Sequence, residues 1–221
     1  MRLTHWLVRL ARKQPLSRRS ARRRRIGDVC PVAERLEDRT LLAAAFGDEL
    51  IISSSVDQAT SAVGADVDSD GDMDVLVSSY QDGRLWYEND GSQSFTEHAI
   101  SSALGGIYST IANDLDDDGD LDVLAASYDD DTIAWFENDG SQNFTLHAIS
   151  TTALDAYDVV VADVDGDGDN DVLSASSRDD TIAWFENDGS ENFTPHVISD
   201  TADGARSVFT ADVDSDGDMD V

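Results

Sequence analysis

The sequence predicts an all-β chain, on three observations. An acidic pattern, D-x-D-x-D-G-D-x-D, occurs four times, its first aspartates 48, 49 and 49 residues apart. The apolar runs between these loops are only four to six residues long, bounded by Asp and Gly, with no sustained helical period. Those runs are rich in β-branched and aromatic residues, which suit a pleated, half-buried surface. A fixed period near 49 residues marks a repeat architecture and takes precedence over local assignments.

The second unit shows each element in order. "YSTIAND" (108–114) is a strand leading into the acidic loop, and "DVLAAS" (122–127) is the strand that leaves it and ends at the polar turn "YDDD". "TIAWFEN" (132–138) is a third strand. It meets "NDGS", where Asp-Gly predicts a tight hairpin because glycine accepts positive φ. "NFTLHAIS" (143–150) alternates apolar and polar residues and closes the unit. Four antiparallel strands in this length make a β-propeller blade. About three and a half blades are expected, as an open arc behind a disordered basic N-terminus.

Charge divides the chain. Residues 1–43 hold 12 of the 15 Lys and Arg against four acids, a net of +8, whereas residues 44–221 hold three basic residues against 42 acids, a net of −39. A body of that charge repels nucleic acid and anionic lipid, so no nucleic-acid partner is expected. The single cysteine, Cys30, lies in the basic part, which excludes an intrachain disulfide. No run of 18 apolar residues is present, so no transmembrane helix is expected.

The acidic loops carry the chemistry. Two carboxylates about 5 Å apart repel by about 3 kcal/mol at an effective dielectric near 20, and something must offset that. Positions 1, 3 and 5 put alternate carboxylates on one side of a turning chain. Glycine at position 6 (Gly71, Gly119, Gly168, Gly217) allows a sharp bend, position 7 offers a backbone carbonyl, and position 9 can close the shell. This is an oxygen cage for a hard, flexible cation, and Ca2+ is the expected cofactor. Position 12, where an EF-hand has a bidentate Glu, holds Val77, Ala125 and Ser174, so these are loops between strands. Magnesium demands stricter geometry, and softer metals want His or Cys, which the loops lack. The competing reading is a solvated acidic turn; four copies with glycine at the same place weigh against it.

"VVVADVDGDGDNDVLSAS" followed by "TIAWFENDGS" resembles the FG-GAP/VCBS repeat, the blade of integrin-like β-propellers, over residues 46–221. The resemblance implies calcium in loops 66–74, 114–122, 163–171 and 212–220. Carried over by position, the side-chain ligands are Asp66, Asp68, Asp70 and Asp74; Asp114, Asp116, Asp118 and Asp122; Asp163, Asp165, Asp167 and Asp171; and Asp212, Asp214, Asp216 and Asp220. Asp72, Asp120, Asp169 and Asp218 offer backbone oxygens. A closed ring of this kind is expected to need about seven blades, so a chain stopping at Val221 reads as a fragment whose further repeats are missing.

Residues 1–45 read as an export-related leader. "VAERLEDRTLLAA" (32–44), behind an arginine-rich stretch, is similar to the LEPR-XLL leader of large exported bacterial proteins. Export to the exterior or cell surface also suits loops whose affinity matches extracellular calcium.

Three sets of recurring residues invite other readings. His98, His147 and His196 could suggest zinc, but equivalent positions in successive blades lie far apart, so they read as polar strand positions. Trp86, Trp135 and Trp184 could stack sugars, although a core or inter-blade role is the stronger reading. The sequons at Asn143 and Asn192 read as strand starts. No nucleophile with a base in reach and no phosphate loop can be argued, so no enzymatic activity is expected. The sequence therefore reads as a calcium-binding extracellular repeat module for structure, adhesion or protein interaction. The alternatives are a carbohydrate-binding propeller and the non-catalytic part of a polysaccharide-active enzyme. The partner would be a protein or a glycan.

Overall fold

A computed structural model describes residues 50–221; the expectations for the leader, residues 1–45, lie outside the described residues. Twelve strands form three four-stranded antiparallel sheets, each a meander in chain order. The first holds β1 (Ala59–Ala65), β2 (Asp74–Ser79), β3 (Gly83–Asn89) and β4 (Phe95–Ser101). The second holds β5 (Ile107–Asn113), β6 (Asp122–Ser127), β7 (Thr132–Asn138) and β8 (Phe144–Ser150). The third holds β9 (Ala156–Ala162), β10 (Asp171–Ser176), β11 (Thr181–Asn187) and β12 (Phe193–Ser199). These are propeller blades, and the first strands β1, β5 and β9 lie beside one another in the stack. Among the described residues there is no helix, and hence none long and apolar enough to cross a membrane.

Alternation along each strand decides which blade faces which. In the second blade, Leu124, Ala126, Ile133 and Trp135 pack on Val159, Val172 and Phe185 of the third. The intervening residues, Val123, Ala125, Ala134 and Phe136, pack on Leu76 and Trp86 of the first. Both faces of this middle sheet are covered, so β6 is buried at every residue, and its interior, 123–126, is apolar on both faces. Burying Phe136 completely contributes about 2–3 kcal/mol. The third blade's outward face, Leu173, Ala175, Ile182 and Trp184, is met by Ala205 and Val208 from the segment entering the fourth acidic loop. That loop is closed by an isolated bridge between Ala211 and Asp220.

One local expectation changes. The Asp-Gly hairpin is not a two-residue turn. Five residues, 90–94, separate β3 from β4, and the same length recurs in the other blades. In each loop the aspartate closes a ring with its own backbone: Asp139 N donates to Asn143 O at 3.3 Å, and Asp139 Oδ1 accepts from Ser141 N at 2.9 Å. An Asx-type turn has replaced the tighter hairpin.

Candidate metal centres

In each of the three blades an acidic loop joins the first strand to the second. Its ends are held by the ladder, with Ala65 opposite Asp74, Asn113 opposite Asp122 and Ala162 opposite Asp171. Between these ends the aspartates organise the backbone. The position-1 carboxylate accepts from the position-6 glycine amide at 3.1–3.2 Å in all four loops. Position 3 accepts from the amide of position 5 at 3.2–3.3 Å, and position 5 from that of position 7 at 2.8–3.0 Å. The glycines adopt φ of 97–102°, beyond the left-handed well that other residues use, which explains glycine at position 6. Position 4 is also left-handed, with φ of 59–63° at Ser69, Asp117 and Ser215, a strain the sequence pattern did not reveal.

Position 9 has a larger role than the pattern suggested. Asp122 Oδ2 accepts from Leu115 N at 3.0 Å, and its Oδ1 accepts from Asn138 N at 2.8 Å, at the end of the third strand. Asp74 and Asp171 make the equivalent pairs with Val67 and Asn89, and with Val164 and Asn187. These carboxylates tie three strands together, and all three are buried. Asp122 loses so much hydration that its pKa is pushed up to about 6, despite the amides of Asn138 and Leu115 and the nearby Trp135 indole. The Trp135 Nε1 itself has no partner within hydrogen-bond geometry. Burial also raises Asp171, Asp116 and Asp68.

The described residues bring three carboxylates of every loop together, with one oxygen of each within 4.8 Å of the others. The sets are Asp66, Asp68 and Asp70; Asp114, Asp116 and Asp122; Asp163, Asp165 and Asp171; and Asp212, Asp214 and Asp220. Asp74, Asp118, Asp167 and Asp216 stand outside these sets. The chemistry fits a hard cation. All donors are oxygen, and Asp66 Oδ1 and Asp114 Oδ1 are buried without any hydrogen-bond partner. Two oxygens on one calcium ion lie at most about 5 Å apart, so each set is within span.

The side chain of position 7 goes elsewhere. The carboxylates of Asp72, Asp120 and Asp169 lie against Gly91, Gly140 and Gly189 of the following hairpin, where a Cβ would sit 2.3–2.5 Å from an oxygen. The loops are also joined between blades. Asn138 Nδ2 donates to Leu121 O at 3.2 Å and to Val67 O of the preceding loop at 3.4 Å. Asn170 Nδ2 donates to Asn113 Oδ1 at 3.1 Å and Asp114 O at 3.2 Å.

The recurring histidines sit in separate blades, each with its own glutamate. His98, His147 and His196 meet Glu88, Glu137 and Glu186 at 2.6–2.7 Å, and each imidazole stacks on the tryptophan of its blade at 4.5–4.7 Å. No zinc set forms from them among the described residues. Trp86 and Trp135 are buried between blades. Beside them run two equivalent clefts, of about 620 and 530 Å3. One is lined by Asp116, Trp135, Glu137, His147 and Phe193, the other by Asp68, Trp86, Glu88, His98 and Phe144. A group absent from the sequence reading is the contact among Tyr80, Tyr108, Tyr128 and Tyr157, whose ring centroids lie 4.4–6.3 Å apart. Its signal was the recurrence of Tyr108 at 157 and of Tyr80 at 128, at the repeat spacing.

No curated protein matches the chain. Among solved structures it is similar to an Agrocybe aegerita lectin, described for specific recognition of non-reducing terminal N-acetylglucosamine. The identity is 19% and the TM-score 0.50, over 72% of this chain and 46% of that one, so the chain spans about half the length of the lectin. The family described as the FG-GAP-like repeat matches residues 66–125, 114–174 and 163–221, one acidic loop opening each match. With blades and loops both in register with those matches, the chain belongs to the FG-GAP-like repeat family.

Proposed function

We propose that this β-propeller repeat module binds calcium in its acidic loops and acts outside the cell in structure, adhesion or protein interaction, without catalytic activity. The observation that carries the calcium reading is the pair of buried, unpartnered oxygens on Asp66 and Asp114, each beside further carboxylates of the same loop. Asp114, Asp116 and Asp122 in the second loop, their counterparts in the third and fourth, and Asp66, Asp68 and Asp70 in the first would hold the ion. When bound, it supplies positive charge that offsets carboxylate repulsion and favours the ionised form of buried Asp122. The chain's own part is to present oxygens on a frame already fixed by amide hydrogen bonds. At free calcium 100 times the dissociation constant, each site stabilises the fold by about 2.7 kcal/mol. Calorimetric titration with calcium, paired with melts in EDTA, tests this. The expected result is saturable heat and a large fall in Tm on chelation; no heat and an unchanged melt would sink the reading.

A second reading is glycan binding, favoured by the two clefts in which a His-stacked tryptophan stands beside carboxylates. The similar lectin makes N-acetylglucosamine the first probe. Titration with that sugar in saturating calcium, and then a glycan array, should give binding that Trp135→Ala weakens at one of the two clefts and leaves at the Trp86 cleft. Silence in both would leave the protein-contact reading alone.

A further inference from the structure

A different cavity, of about 420 Å3, lies between the end of β8 and the third blade. That volume is within the range of small-molecule sites, about 300–1,000 Å3. Two of the residues that line it each carry a buried polar atom with no partner: Ser174 Oγ and Asp179 Oδ1. Ser174 itself is fully buried.

The repeats make both atoms conspicuous. Where the third blade has Ser174, the first and second have Val77 and Ala125, so a hydroxyl has entered a place that is otherwise apolar. Where the third blade has Asp179, the others have Asp82 and Asp130, whose carboxylates accept main-chain amides: Asp57 N at 2.6 Å and Gly105 N at 2.7 Å. Asp179 Oδ1 has no such partner. Its neighbour Arg178 does not compensate it, being engaged with Asp131 and Asp155 at 3.3 Å each. An unpaired buried polar group is unfavourable, and the residues of this cavity supply two.

We propose that this cavity binds a small alkylammonium ion, with its head group on Asp179 and Ser174 and its chain against Phe185. The polar lining consists of serine and threonine hydroxyls and one carboxylate, with no cationic side chain among them. The hydroxyls can donate or accept, but the ionised carboxylate of Asp179 can only accept, so the ligand must bring a donor to it, and an ammonium brings three. One carboxylate calls for one positive charge. The remaining wall, including Ile149, Phe185, Pro195 and Val197, is apolar and suits a short alkyl chain. The net charge of −39 over residues 44–221 raises the local concentration of cations.

The test is an NMR titration of the full chain, saturated with calcium, with n-butylammonium chloride; 1-butanol is the neutral control, and Nα-acetyl-lysine amide distinguishes a protein lysine from a free amine. Saturable shifts confined to Ile149, Ser174, Asp179 and Phe185 are expected with the ammonium and not with the alcohol. A response to the lysine derivative extends the site to protein lysines; a response to butylammonium alone restricts it to free amines. Asp179→Asn should weaken binding by about tenfold or more. Ser174→Ala, which installs the residue of the second blade and removes an unpaired hydroxyl, should weaken it several-fold with a melt no lower than that of the wild type. Asp200→Asn, the same charge removed from an exposed position, should leave it unaltered. Shifts that do not saturate, that spread over the acidic surface, or that respond equally to Asp200→Asn and Asp179→Asn overturn the proposal.

Discussion

Asn138, at the end of the second blade's third strand, donates to the carbonyl of Val67 in the first blade's acidic loop at 3.4 Å, across 71 residues of chain. The same side chain donates to Leu121 O at 3.2 Å and accepts from Gln142 N at 3.1 Å, and it is buried. Asn138→Ala leaves two carbonyls and one amide without that partner, and is expected to cost about 2–4 kcal/mol. Asn89, its counterpart in the first blade, reaches only Met73 O and Gly91 N and is half-buried. Asn89→Ala should cost about 1 kcal/mol. Urea unfolding of both variants in EDTA checks the difference without a metal contribution.

Acidity should stabilise the metal-free protein. The pKa of Asp122 is raised by burial from 3.8 to about 6, so the folded state holds its proton more tightly than the unfolded chain does. The resulting stabilisation is complete below about pH 4 and is lost as pH rises through 6, an amount on the order of 3 kcal/mol. Asp171, Asp116 and Asp68 shift in the same direction. Melts in EDTA should therefore fall steadily between pH 4 and pH 7. Saturating calcium should cancel or reverse that trend, because a cation beside Asp122 favours its ionised form. A metal-free melt that climbs over this interval would contradict the burial of Asp122.

The pairing of histidine with glutamate should contribute little. His147 and Glu137 are 42% and 39% exposed at their side chains, and pairs so exposed contribute about 0–1 kcal/mol. The stack of His147 on Trp135, at 4.7 Å and 28°, does not need the charge. Glu137→Gln and His147→Phe should stay within about 0.5 kcal/mol of wild type, while His147→Ala, which removes the stack, costs about 1 kcal/mol. Thermal melts at pH 7 separate the three.

Much of this architecture was legible because the chain repeats itself. The strands expected at 122–127 and 132–138 are β6 and β7 to the residue, since Asp and Gly bound short β-branched runs on both sides. Elsewhere the period could not speak for contacts between distant residues. Nothing local marks Asp122 as the acceptor for Asn138, 16 residues on, because position 9 looks like any other aspartate of the loop. The Asx turn at Asp139 is not legible from sequence, because Asp-Gly has the same composition in a two-residue hairpin as in a longer loop. The cavity beside Ser174 was invisible for a related reason. A serine for alanine in a strand gives no warning until the opposing blade is in place.

The last prediction concerns the joint between loop and hairpin. Gly140 has φ of 71°, and a Cβ there would lie 2.3 Å from Asp120 Oδ2. Gly140→Ala must therefore bear left-handed strain, about 1 kcal/mol, and also push the Asp120 carboxylate aside. Gly204, at φ of 61°, has nothing within 4 Å, so Gly204→Ala bears the strain alone. The excess at Gly140 should belong to Asp120 specifically. In an Asp120→Ala background, Gly140→Ala should cost no more than Gly204→Ala does, and the double-mutant cycle should give a coupling of at least about 1 kcal/mol. A coupling near zero would mean that the carboxylate moves away freely, and that the acidic loop and the hairpin are not packed as a unit.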